Sequence, residues 1–138
     1  MIDYNNVDMG DELPTIEITP TTDQVNQFLV AWGNRTGMGR FSSPEDAKKE
    51  GFPDAIVPGI MSMAILSKLL TEWSDNVSIK TIDVVFRQPV LHNRSIYAKG
   101  MITDKLDERG ENLLECDVLL EGEDGENGVT GRAVLVVS

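Results

Sequence analysis

Residues 51–70, "GFPDAIVPGIMSMAILSKLL", decide how the chain folds. A loop holding two prolines runs into a helix opened by Pro58-Gly59, and from there the sequence is apolar almost all round. Ile60, Met61, Met63, Ala64, Ile65, Leu66, Leu69 and Leu70 leave no clear polar face, whereas a surface helix shows one apolar stripe. The expectation is a central helix covered on every side by other elements.

The rest of the chain must supply that cover. With 138 residues, 41% of them hydrophobic, it holds one domain, 1–138, around one core. Its formal charge of -11 comes from 23 acidic and 12 basic residues with no basic run, which argues against nucleic acid as a partner. The lone Cys116 allows no intrachain disulfide and, beside the lone His92, no zinc ligand set. A reducing cytoplasm is expected, with no metal and no cofactor. The opening "MIDYNNVDMGDELP" has neither a basic start nor an apolar run, and no stretch nears about 18 consecutive apolar residues. Neither a targeting segment nor membrane association is expected.

In "ELPTIEITPT", Ile16 and Ile18 alternate with polar neighbours between Pro14 and Pro20, which predicts an edge strand. Thr21 or Thr22 caps a helix in which Val25, Phe28, Leu29 and Trp32 fall at helical spacing and Gly33 stops it. "GNRTGMGRFSSP" has no periodicity and reads as a loop. A short helix through "SPEDAKKEGF" follows, with a serine cap, an early proline, acids first and lysines last. The second half is strand: "VSIKTIDVVF", "SIYAKGMITDKL", "NLLECDVLLEG" and "VTGRAVLVVS", with "DERGEN" and "GEDGENG" as hairpin turns. A curved antiparallel sheet wrapped around the long apolar helix is the economical arrangement, an α+β hot-dog fold. A flat sheet capped by the helix is the plainer alternative.

"MGDELP", the threonine-led helix, "SPEDAKKEGFPDAIVPGIMSMA" and "VVFRQPVLHNRSIYAKGMITDK" together resemble the MaoC-like (R)-specific enoyl-CoA hydratases and 3-hydroxyacyl dehydratases. The likeness spans nearly the whole chain. It is most specific from Ser43 to Ala64, which is similar to the family passage D-P-E-x-A-K-x-x-G-F-x-x-x-I-V-H/P-G-M. The resemblance implies an acyl thioester of coenzyme A or of acyl carrier protein as ligand. It also implies pairing with a second hot-dog chain, as a homodimer or a heterodimer, since an exposed edge strand needs cover.

Adding water to an enoyl thioester requires a base for water, an acid for the alpha carbon and donors for the thioester oxygen. The resemblance assigns the donor to the Gly59 N–H at the start of the central helix, where free N–H groups and the positive dipole end coincide. Alone, Pro58-Gly59 would be a helix initiator. Ser62, one turn on, either contacts the acyl carbonyl or bonds its own helix. Met61 and Met63 are candidates for an acyl tunnel, although core packing is the ordinary use of methionine.

In the family an Asp and a His in G-D-x-N-P-x-H carry the protons, and here the two positions read differently. Counting from the first helix places Asn34 at the Asp; counting back from "SPEDAKKEGF" places Phe41 at the His and Thr36 at the Asp. The counts differ by two, so the loop carries an insertion. Between Trp32 and Pro44 there is no Asp, Glu, His, Cys or Lys, and Arg35 and Arg40 are poor bases. His92 in "PVLHNRS" reads as a solvated turn histidine, and Glu45, Asp46 and Glu50 as a solvated helix face. Asp54 precedes Pro58 and is closer to the site, though turn chemistry explains it as well. Arg87, Arg94 and Lys80 are candidates for coenzyme A phosphates, with scattered surface cations the default.

Three readings follow. The first is a thioester-binding subunit without its own acid–base pair, shaping the acyl pocket beside a catalytic hot-dog partner. The second is an active homodimeric hydratase using unusual residues; the third is a binding or regulatory module without turnover.

Overall fold

In the computed structural model, which describes residues 1–138, β1 (Ile16–Ile18), β2 (Val77–Phe86), β3 (Ile96–Glu108), β4 (Glu111–Gly122) and β5 (Asn127–Val137) form one curved antiparallel sheet. Its order is β1-β3-β4-β5-β2. The two hairpin turns put β3, β4 and β5 side by side as expected. β2 crosses the sheet to pair with β5, from Val77↔Val137 to Phe86↔Val129. β1 pairs only with β3 and is an edge, so the Pro14 and Pro20 that flank it withhold no donor from a neighbour. β-Bulges interrupt the ladders near Lys80 and Thr103, which breaks the strict alternation and bends the sheet. The Thr103 hydroxyl is buried there without a partner.

Three α-helices lie between β1 and β2 in the chain: α1 (Thr22–Ala31), α2 (Pro44–Lys49) and α3 (Gly59–Trp73). Thr21 caps α1 in a reciprocal box with Gln24, and Gly33, at φ +90°, lets the N–H of Asn34 turn back to the Leu29 carbonyl. Ser43 caps α2 and Pro44 occupies its first turn.

α3 lies across β2, β3 and β4. Ser62, Ile65, Leu66, Leu69 and Leu70 are buried, and each fully covered leucine contributes about 2 kcal/mol. The absence of a polar side does not hold. Ile60, Ala64, Lys68, Thr71 and Glu72 form an exposed stripe, and Lys68 pairs with Glu72 one turn on. The dense apolar run masked that stripe because Ile60 and Ala64 lie within it. With this correction the architecture is the α+β hot-dog fold. No helix is long and apolar enough to cross a membrane.

Candidate functional site

The start of α3 is placed by the segment before it. The N–H of Ile56 donates to the Arg40 carbonyl at 3.0 Å, and that of Val57 to the Val90 carbonyl at 2.7 Å. The N–H of His92 donates to the Ala55 carbonyl at 3.4 Å. The His92 ring adds a second layer, with Nε2 3.1 Å from the Ile56 carbonyl and Nδ1 3.2 Å from Thr22 Oγ1. A carbonyl only accepts, so Nε2 carries the proton and Nδ1 accepts from the Thr22 hydroxyl, which itself accepts from Asn93. His92 is therefore half-buried and bonded on both nitrogens rather than solvated. Its long-range partners, on α1 and on the segment leading to α3, could not be read from the turn sequence.

Pro58 is the N-cap of α3, and its carbonyl accepts from Met61 and Ser62. No side chain caps this end, and the N–H groups of Gly59 and Ile60 have no protein acceptor. Two donors and the positive end of the helix dipole thus meet at Gly59.

A cavity of about 280 Å³ opens beside Gly59. Ser62, Ile56, Val57, Val90 and Val129 line it, with Phe52 and Phe86. Ser67 and Thr71 bond back to carbonyls of their own helix, whereas Ser62 forms no such bond and lines the cavity. The Phe86 ring lies edge-on against Gly59: a Cβ at position 59 would sit 2.8 Å from its Cζ. A Cβ here would have to push the ring aside. The arrangement offers a carbonyl oxygen the Gly59 N–H, a small, largely apolar chamber and the Ser62 hydroxyl.

Asn34 and Phe41 line a different opening, of about 610 Å³, with Leu29, Arg35, Met38 and Glu50. No residue lines both openings. Asn34 is exposed, and Phe41 is half-buried against the core. Arg40 is held 2.6 Å from Glu50, its guanidinium 6.0 Å from the Phe41 ring centre and 5.8 Å from that of Phe52. Glu50 is thus neutralised by a cation, and Asp46 accepts the Gly39 N–H at 2.8 Å. These two acids tie the glycine loop to α2, Asp46 half-buried and Glu50 still exposed.

The remaining candidates disperse. Asp54 is exposed and accepts the N–H of the next residue, Ala55. Met61 and Met63 are half-buried and, like the buried Pro58, do not line the cavity at Gly59. Lys80 pairs with Glu111 at 2.7 Å, and Arg87 donates to Thr130 while bordering the cavity. Arg94 faces a third opening, of about 580 Å³, beside Glu123, Asp124 and Glu126. Burial pushes the Cys116 thiol up to about 11, with a backbone hydrogen bond opposing and Asp117 adding to the rise. No cluster of three or more His, Cys, Asp or Glu side chains is placed to hold a metal. Phe86 and His92 are the residues the sequence did not single out for the site. The only sequence signal for Phe86 is its aromatic ring at the end of a strand, next to "RQP".

The MaoC like domain model matches residues 9–122. Among solved structures, the chain is similar to the (R)-hydratase from A. caviae involved in PHA biosynthesis, with a TM-score of 0.83 at 17% identity, covering 96% of this chain and 98% of that one. It is similar to the ChsH1-ChsH2 complex from Mycobacterium tuberculosis, with a TM-score of 0.81 at 17% identity and coverage of 94% and 98%. It is also similar to the HadBC (3R-hydroxyacyl-ACP dehydratase) complex from Mycobacterium tuberculosis, with a TM-score of 0.76 at 18% identity and coverage of 93% and 96%. No curated protein matches the sequence. At these identities the structural likeness speaks to the fold.

Proposed function

The chain belongs to the MaoC-like domain family, and we propose that it is a one-domain cytoplasmic subunit that binds an acyl thioester of coenzyme A or of acyl carrier protein. On this reading it holds the thioester carbonyl at the N–H groups of Gly59 and Ile60, with Ser62 and the adjoining apolar cavity against the acyl group. Donors fixed in advance at a carbonyl stabilise the negative charge that develops on its oxygen when water adds or leaves. One observation carries the proposal: an uncapped helix start opens onto a small apolar cavity, while residues 33–43 offer no group able to take or give a proton near neutral pH.

The proton-transfer pair then comes from a second hot-dog chain. Two of the similar structures are complexes, which supports such a partner. The test is hydration of a trans-2-enoyl-CoA, followed by loss of enoyl-thioester absorbance. The isolated chain is expected to be silent and to gain activity with a co-purifying hot-dog chain. Turnover by the isolated chain would replace this reading with that of a self-sufficient hydratase. Binding of acyl-CoA without turnover under either condition would leave a binding module. Asn34→Asp combined with Phe41→His tests ancestry, since any gain of hydration places the two loop positions within reach of the Gly59 carbonyl site.

A further inference from the structure

We infer that Phe86 sets the size of the acyl group that the Gly59 site accepts, an assignment that rests on the thioester reading above. The cavity at Gly59, about 280 Å³, is at or just below the small end of ligand pockets. Its deep walls are fixed: Val57, Val90 and Val129 are buried members of the core. Phe86 is different, because 53% of it is exposed while its ring still forms the wall against Gly59.

The backbone that carries Phe86 is tied down. It forms the last pair of β2, with Val129, and the next two N–H groups, of Arg87 and Gln88, both donate to the Gly128 carbonyl. The ring can therefore turn about its side-chain bonds without unpairing the strand. Its edge at Cζ contacts the helix start and the rest meets solvent, so the ring stands as one wall at the mouth of the cavity. A short acyl group fits behind it. A longer one must displace it and forfeit its packing on Gly59.

The experiment measures binding of saturated butyryl-, hexanoyl- and octanoyl-CoA by calorimetry, with coenzyme A itself as the baseline. For the parent protein, affinity rises by about four-fold per methylene while the cavity fills and then levels off. In Phe86→Ala the space of the ring is added to the cavity, so the rise continues as longer chains fill it and the octanoyl-to-butyryl affinity ratio grows at least about tenfold. Phe86→Trp, which keeps an aromatic wall and enlarges it, shifts the preference toward butyryl. Parallel chain-length series in all three proteins, or a uniform loss at every length in Phe86→Ala, overturn the inference. Failure of every acyl-CoA to exceed the coenzyme A baseline in all three proteins overturns the thioester reading beneath it.

Discussion

Replacing His92 tests how the start of α3 is held in place. The ring bonds the Ile56 carbonyl at 3.1 Å and the Thr22 hydroxyl at 3.2 Å. Ile56 is only 9% exposed, so in His92→Ala its carbonyl loses a partner that water replaces poorly, at about 1–2 kcal/mol. Thr22 is nearer solvent and keeps Asn93 as a donor, so its lost bond costs about 0.5–1 kcal/mol. Together these make about 1.5–3 kcal/mol. For a chain of 138 residues that lowers the thermal midpoint by about 5–10 °C. Two further variants separate the bonds. The amide nitrogen of Gln reaches about as far as Nε2 and preserves the Ile56 contact, while Asn matches Nδ1 and preserves only the weaker one. Circular dichroism melts should rank the parent above His92→Gln, then His92→Asn, then His92→Ala. Because His92 is the only histidine, its imidazole nitrogen resonances are unambiguous and should report the Nε2–H tautomer. An Asn variant more stable than the Gln variant, an Ala variant within about 2 °C of the parent, or the opposite tautomer would refute the reasoning.

Other predictions address the core, the site and the thiol. Leu70→Ala, at a fully buried position on α3, should cost about 2–5 kcal/mol in urea unfolding; a loss under about 1 kcal/mol would remove α3 from the core. Gly59→Ala should cost about 1 kcal/mol, because its methyl group meets a ring that is half-exposed and can swing aside. That cost should vanish in a Phe86→Ala background, and an equal cost in both backgrounds would deny the contact. Cys116 keeps its proton in the native state up to about 11, whereas an ordinary thiol ionises near 9.0. Its contribution, on the order of 2 kcal/mol, is complete below about pH 9 and is lost as pH rises through 11. Urea unfolding between pH 8 and 11 should therefore decline less steeply in Cys116→Ala, and parallel declines would contradict the assignment.

Legibility in the sequence followed the range of the interactions. The Thr21-Gln24 box, the Ser43-Pro44 start and the two acidic hairpin turns are local, and each appeared where its residues indicated. The partner of β2 is not local: Val77–Phe86 reads equally well beside any apolar strand, and only the folded sheet sets it on β5. The exposed stripe of α3 was hidden because Ile60 and Ala64 lie on it beside Lys68 and Thr71, so composition outweighed position. Gly59 was singled out only through the family resemblance, since a proline-glycine pair alone reads as a helix initiator. Phe86 and His92 were not, since the role of each is a contact with residues 27 or more positions away in sequence, Gly59 for the ring, Ile56 and Thr22 for the imidazole.

The two halves of the candidate site differ in what the fold demands of them. Gly59 is held by packing: a Cβ there pushes the Phe86 ring aside, Ser62 is buried, and the preceding segment is stitched to residues 90–92. Substitution there moves a wall of the cavity. Residues 33–40 are exposed throughout, and apart from the Arg40–Glu50 pair their N–H groups are held by Ser42 and Asp46, so a side chain such as Asn34 changes at little cost to stability. A chain of this architecture can therefore exchange a carboxylate for Asn34 and still keep a carbonyl-binding helix start, whereas Phe41 packs against the core and its exchange costs more. A side chain at position 59 instead displaces Phe86, which lines the cavity. On the proposed reading, this asymmetry is why a subunit can shed its proton-transfer groups and remain a thioester site, with the chemistry supplied by a paired chain.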